Sequence, residues 1–447
     1  MQKVCVIVSL AWLVAAPVAA QSPTPPATSA AEVVRHDSGP PLTLADAVGE
    51  ALAHNPELRA LGAQVRATEQ RPAQARSLDA PMLETQIWQW PITSINPANT
   101  NAYMFMATQT LPGAGKRDLR AAVAARDVDA AELGLSVRAR EIENLVTQSY
   151  VELFVARRAI DVYEASAGVL RQLADASQAK YAAGRISQQD VLKAVVELSK
   201  LQDELIGLRE RADLAAARLN TTLARPVEAE IGPLSAPPTP TLPASVQDLF
   251  ALALDHQPMI RANRVAVEHA EAERSVARAE SKPDFVVQAG YMLMPHQSDA
   301  WMARFGISWP NAPWSRGKVD ARVAEVAAEI DAAKAQQQAT ENAVRLAVQE
   351  AYIHANAARQ RVTLLETTIL PQSRQALEVS RIAYESDRID FLSLLDNQRT
   401  VLGAELDYDR AVIDVARAFS DLQAAVGADL GWIPRLVPSS PVAGGVR

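Results

Sequence analysis

The sequence predicts a mainly α-helical chain that also carries a membrane β component, with one large unit written twice. Three observations predict it. Motifs of the first half recur in the second at an offset of 202 residues. An alanine-rich helical pattern runs unbroken from about Ala114 to about Tyr181. Four short segments alternate apolar and polar residues and collect most of the tryptophans, which is the period of a strand with two different faces.

The chain opens with one positive charge, Lys3, followed by an apolar run from Val4 to Ala16 that closes on Val18-Ala19-Ala20. A short apolar core ending in small residues reads as a secretory signal over 1–20. Its removal would take away Cys5, the only cysteine, so the mature chain would have no disulfide or thiolate chemistry. Residues 21–41 read as a proline-rich, disordered leader. The net charge of −8 and the lack of a basic run argue against nucleic acid as a partner. After the signal no apolar run approaches the ~18 residues of a membrane-spanning helix. An exported chain of this kind can still enter an outer membrane as a barrel.

A second proline-rich stretch, 225–244, separates repeat 1 (42–224) from repeat 2 (245–428), and 429–447 forms a tail. His54-Asn55-Pro56 aligns with His256-Gln257-Pro258, Pro81 with Pro283, and Gly115-Lys116 with Gly317-Lys318. Towards the end the offset becomes 203, where Tyr181-Ala-Ala-Gly184-Arg185 meets Tyr384-Glu-Ser-Asp387-Arg388. Each unit opens with a short helix and a second helix beginning at its proline, which suits the first helical turn. Two strands follow, at about 82–90 and 102–111 and again at about 284–294 and 300–309. Long helices follow them, at about 114–181 and 188–224, then 318–384 and 390–427. The first would be about 100 Å long at ~1.5 Å per residue, a length that belongs to a tubular or coiled assembly. Val191, Val195, Leu198, Leu201, Leu205, Leu208, Ala212, Ala215 and Leu219 make a heptad-like seam, repeated through Leu394 to Leu422. A second stripe through Leu192, Val196 and Ile206 lets the helix contact neighbours on both sides.

In the strands, Phe285, Val287, Ala289, Tyr291 and Leu293 share one face, as do Trp301, Ala303, Phe305, Ile307 and Trp309. Tyr103, Phe105, Ala107 and Leu111 form the equivalent face in repeat 1. Each segment has the length of a tilted strand crossing a bilayer, and Trp88, Trp90, Trp301, Trp309 and Trp314 fit interfacial girdles. The alternative is a soluble antiparallel sheet packed on helices. Four strands cannot close a barrel, because the smallest has about eight; three chains would supply twelve. Met82, Met104, Met106, Met292, Met294 and Met302, six of the eight methionines, have the opposite parity to the aromatic face and so should face the lumen. Thioethers suit soft cations such as Cu(I); adaptable packing is the plainer reading. No metal-ligand cluster, cofactor motif or catalytic constellation emerges. Gly113-Ala-Gly115-Lys116-Arg117 lacks the spacing of a phosphate loop, and His54 and His256 sit where capping or packing explains them. No enzyme is expected.

These elements resemble the TolC-like outer-membrane efflux family. The resemblance rests on Leu42-Thr-Leu-Ala-Asp-Ala-Val with His54-Asn-Pro56, on Leu111-Pro112 with Gly115-Lys116-Arg117, on Tyr181-x-x-Gly184 with Asp190-Val-Leu192, and on Tyr384 with Leu394-Leu395-Asp396. It implies a homotrimer with a twelve-stranded outer-membrane barrel and an α-helical barrel reaching into the periplasm, closed at its tip. Its expected partners are outer-membrane lipid, a periplasmic adaptor and an inner-membrane pump, proton-driven in many such systems. Heavy-metal efflux is one branch. The resemblance puts a periplasmic gate at Asp190, Asp396, Tyr181, Tyr384, Arg185 and Arg388. Symmetry would turn each aspartate into a ring that favours cations. Repeat 2 departs from the pattern: Ser393 stands at the position of Asp190, and Asp387 stands where glycine is expected, a bend that aspartate tolerates better than most residues. Ordinary solvated helix charge is the alternative for the aspartates, and turn packing for the tyrosines. The exported substrate is left open, and an exit channel for type I protein secretion and a soluble periplasmic coiled-coil scaffold stand as alternative functions.

Overall fold

The computed structural model describes residues 41–431 except Pro97, Thr239, Pro243, Ala244 and His296. The signal, nearly all of the leader and most of the tail lie outside the described residues. The two repeats open alike. Helix α1 (Leu44–His54) is capped by Thr43, whose hydroxyl accepts the N–H of Asp46 at 3.1 Å, and α2 (Pro56–Thr68) is capped by the Asn55 side chain, with proline in its first turn. In repeat 2, α6 (Val246–His256) precedes α7 (Pro258–Ala279), where Gln257 takes the place of Asn55. The Nδ1 atoms of His54 and His256 lie 3.2 Å from the carbonyls of Glu50 and Leu252 in their own helices.

After the six-residue α3 (Arg71–Arg76) and strands β1 (Met82–Trp88) and β2 (Ala102–Leu111), the chain enters α4 (Lys116–Ala182), 67 residues long. At ~1.5 Å per residue α4 spans about 100 Å. It turns back into α5 (Gln188–Thr222). Repeat 2 continues with β3 (Phe285–Leu293) and β4 (Ala300–Ile307), then α8 (Arg316–Leu364), α9 (Leu370–Glu385) and α10 (Phe391–Val426). The single helix expected over 318–384 is in fact two, joined by a π-helical turn at Leu365–Ile369. Pro371 is the physical reason. It has no N–H for the carbonyl of Thr367 and its ring crowds that carbonyl, so the ladder widens by one residue and Leu370 N–H bonds to Leu365. None of the helices among the described residues is long and apolar enough to cross a membrane.

The long helices touch along their seams. Leu201, Leu205, Leu208, Ala212, Ala215 and Leu219 of α5 are buried, as are Leu394, Gln398, Val401, Ala404, Ala411, Val415 and Leu422 of α10. Tyr408 is only half-buried. At the start of α5 the expected seam shifts, because Ala194 is buried while Val195 is exposed. The second stripe, Leu192, Val196 and Ile206, is also exposed and has no cover within one chain.

The four strands form one antiparallel sheet in the order β1-β2-β3-β4, so that among the described residues β1 and β4 are open edges. The central pair joins the two repeats: Tyr103 to Leu111 pairs in continuous register with Leu293 to Phe285. Strand β1 ends earlier than expected, at Trp88, because Gln89 takes φ 55° and turns the chain.

Two sets of contacts tie segments remote in sequence to α4. Below the sheet, buried Lys116 places Nζ 2.8 Å from Asp284 Oδ1, which also accepts the N–H of Gly113 at 2.7 Å. A side chain at Gly113 would collide with the Pro283 carbonyl, since its Cβ would lie 2.5 Å from that oxygen. Midway along α4, fully buried Tyr150 sits among Ala47, Ala51, Leu219, Val348, Phe419 and Leu422. Its hydroxyl lies 2.7 Å from the carbonyls of both Leu42 and Ser235, sharing one proton between two segments that are themselves bridged at Leu42 and Leu234. Burial pushes the Tyr150 hydroxyl pKa up.

Candidate functional site

The turns that join α4 to α5 and α9 to α10 share one backbone design. In repeat 1 the N–H of Arg185 bonds to the carbonyl of Lys180 and that of Gly184 to Tyr181. In repeat 2 Arg388 bonds to Ala383 and Asp387 to Tyr384. These are paired six-to-one and five-to-two caps that need one left-handed residue. Gly184 supplies it at φ 68° and Asp387 at φ 57°, so the aspartate keeps the bend that glycine makes in the other copy.

The helix starts beyond the turns exchange two side chains. Ser187 is the N-cap of α5 with Asp190 three residues on; Asp390 is the N-cap of α10 with Ser393 three residues on. The Asp390 carboxylate accepts the Ser393 N–H at 3.1 Å, and the Ser187 hydroxyl donates to Asp190 at 3.1 Å. Asp190 sits in the first turn of α5 and Asp390 at the N-cap of α10, where the helix dipole favours both carboxylates. Bonding to Ser393 holds the Asp390 pKa low. Asp396 lies one turn into α10 and is exposed.

The structure separates the two tyrosines that the sequence pairs. Tyr181 is exposed. Tyr384 is buried in a cluster with Ala167, Leu170, Ala194, Phe391 and Leu394, packs edge-on to Phe391 at 5.9 Å, and has its hydroxyl 3.1 Å from that of Ser177. Lys180 completes the set. Its Nζ donates to the Tyr384 carbonyl at 2.5 Å and to Asp387 Oδ1 at 2.6 Å, and lies 4.2 Å from the centre of the Tyr384 ring. Arg185 approaches the same carboxylate at 3.7 Å, while Arg388 is exposed. The Lys180 ammonium holds the Asp387 carboxyl below its usual range. Sequence reasoning missed Lys180 and Ser177: Lys180 has Ala383 as its repeat-2 counterpart, and Ser177, though matched by Ser380, is one small polar residue in a long helical pattern. The only signal was the departure at Asp387, which supplies an anion where the copy has glycine.

At the other end, the register of the sheet sorts its residues into two faces. One carries Leu83, Ile87, Phe105, Phe285, Leu293, Trp301, Phe305 and Ile307, all exposed in the single chain. Tyr291 and Trp301 are cross-strand partners on this face, 5.3 Å apart and edge-on. The other face carries Glu84, Gln86, Thr108, Gln288 and Arg304 together with Met82, Met104, Met106, Met292 and Met302. Met294 lies one residue past β3, in a turn where its N–H bonds to Asp299 at 3.0 Å. Trp88, expected in an outward girdle, has the parity of the polar face. Trp309 and Trp314 meet edge-on at 6.0 Å just beyond β4.

A sheet apolar on one face and polar on the other, continued by helices about 100 Å long, defines an outer-membrane channel subunit with a periplasmic helical tube. The outer membrane efflux protein model matches residues 47–225 and again 249–428, and the chain belongs to that family; it is not an enzyme. The double match is the internal duplication. The chain is 28% identical over 396 residues to the cobalt-zinc-cadmium resistance protein CzcC of Cupriavidus metallidurans, covering 87% of this chain and 90% of that one. It is 22% identical over 330 residues to nodulation protein T of Rhizobium leguminosarum bv. trifolii, covering 71% and 69%. Among solved structures it resembles CusC (TM-score 0.74, 16% identity, 86% and 92% covered) and the outer membrane protein VceC of Vibrio cholerae (TM-score 0.71, 20% identity, 86% and 96% covered).

Proposed function

We propose that three copies of this chain form a passive duct through the outer membrane, serving as the exit channel of a tripartite system that expels metal cations. The observation that carries this reading is the open sheet. Among the described residues strands β1 and β4 lack partners on one side, and hydrocarbon offers none. The strand order makes β4 of one copy antiparallel to β1 of the next, so three copies close twelve strands, an even number as such barrels have. The exposed stripe Leu192, Val196 and Ile206 would be covered by the neighbouring copy. The energy would come from an inner-membrane pump, joined to the tube by a periplasmic adaptor. The cation reading is supported by the similarity to a protein named for cobalt, zinc and cadmium resistance over nine-tenths of its length.

Purification from membranes in detergent should give a trimer by light scattering, with conductance in planar bilayers. A monomer that leaves the cell envelope without detergent would overturn the duct. Deletion of the gene should lower tolerance to cobalt, zinc or cadmium, and unchanged tolerance to all three would overturn the cation reading.

A further inference from the structure

On the polar face of the sheet four methionines from three strands surround one glycine. Met106 of β2, Gly290 of β3 and Met302 of β4 are consecutive cross-strand partners, and so are Met104, Met292 and Ala300 one pleat away. Directly opposed residues have Cβ atoms about 5 Å apart, so Met104 and Met292 are in side-chain contact range. Met106 and Met302 are two strands apart, about 10 Å, but the residue between them has no side chain. Met106 uses that space: a Cβ on Gly290 would lie 2.9 Å from Met106 Cγ. The Met106 side chain therefore leans across β3 towards β4. Its sulfur is fixed by the Gln288 amide, which donates to Sδ at 3.4 Å, leaving the other lone pair of the sulfur available. Met104 is 5% exposed and the other three are half-buried, whereas Leu83, Trp301, Phe305 and Ile307 on the opposite face are exposed.

Neutral thioethers are soft donors that bind soft, weakly hydrated monovalent ions and cannot replace the water held by a small divalent cation. We propose that Met104, Met106, Met292 and Met302 form a thioether site for a soft monovalent cation, of the class of Cu(I) and Ag(I), on the wall of the barrel. The inference rests on the duct reading, which makes this face the lumenal one. In that setting the ion would be held by a few neutral ligands, weakly enough to leave.

The test uses Ag(I), which needs no reductant, titrated calorimetrically into the full-length protein in detergent, with Zn(II) as the contrasting ion. Saturable Ag(I) binding is expected, without Zn(II) binding at the same site. Replacing all four residues by leucine should weaken Ag(I) binding by roughly tenfold or more, while Met82→Leu, outside the cluster, should leave it unchanged. Met302→Leu on the edge strand alone should weaken it measurably, which covers the case in which the fourfold variant does not fold. Absence of Ag(I) binding to the native protein, or equal affinity in the leucine variants, would overturn the site. Light scattering and conductance on the same preparation separate this outcome from failure of the duct: a conducting trimer that ignores Ag(I) refutes only the site.

Discussion

Lys180 and Asp387 face each other across the two helix turns, Nζ to Oδ1 at 2.6 Å, and the lysine belongs to one repeat while the aspartate belongs to the other. The same ammonium caps the Tyr384 carbonyl and lies over its ring. One side chain therefore ties the turn of repeat 2 to the end of α4. Lys180→Met removes all three interactions while keeping an unbranched side chain of nearly the same length. The expected outcome is a severalfold rise in single-channel open probability in planar bilayers, with Asp387→Gly giving a smaller rise because it preserves the bend and the carbonyl contact. Unchanged conductance in both variants would show that this pair does not restrain the tip.

Acidity should act on the same contact from the other side. Lys180 lowers the Asp387 pKa below its ordinary value of 3.8, with Arg185 adding to the effect. A depressed carboxyl contributes stability that is present above the unfolded range and lost as pH falls through the folded pKa. Conductance should thus stay flat from pH 8 to about pH 4 and rise only below it, within the range where carboxylates protonate. The Asp387→Asn channel should show at pH 7 the same modest rise in open probability as Asp387→Gly and lose most of this response to acid.

Tyr150 tests the middle of the molecule. Its hydroxyl serves the carbonyls of Leu42 and Ser235, both brought to α4 from segments remote in sequence. Tyr150→Phe keeps the packing and removes the hydroxyl donor, leaving the Leu42 carbonyl only the N–H of Ser235 at 3.0 Å. The change should cost about 1–2 kcal/mol, read as a lower denaturation midpoint, and should speed proteolysis near Leu42 and Ser235 while leaving conductance intact.

Gly290 tests the sheet. Its missing Cβ would lie 2.8 Å from the Phe105 carbonyl oxygen as well as against Met106. Gly290→Ala should therefore push β2 and β3 apart or force Met106 out of its place, costing about 1–3 kcal/mol. Gly306→Ala is the control, since its nearest neighbour would be an ordinary contact at 3.5 Å from Val286 Cβ. Comparable loss of heat stability in both would refute the close-approach argument.

Much of the fold was legible because its signals are periodic. Alternation in Phe285–Leu293 and Ala300–Ile307 is local, and so is the heptad spacing of Leu201, Leu205 and Leu208. The π-turn was not foreseen although Pro371 is plain in the sequence, because a proline within a long helical pattern can kink, widen or end it, and packing decides which. The inward parity of Trp88 escaped because its residue type suggested a girdle while its register with Ala102 puts it on the polar face. The tip was the least legible. Tyr181 and Tyr384 occupy equivalent positions, yet only Tyr384 is buried, because Lys180 and Ser177 have partners in the other repeat more than 200 residues away. Contacts between unlike copies leave no trace in a repeat pattern.

The bare edges of the four-stranded sheet bear on how the molecule is made. Alternate residues along β1 and β4 present unpaired backbone groups on the open side, among the described residues, and an edge of that kind invites any other strand to pair with it. A lone chain would be insoluble in hydrocarbon and sticky in water. If three copies close the barrel as proposed, insertion and oligomerisation should therefore be a single event in its biogenesis.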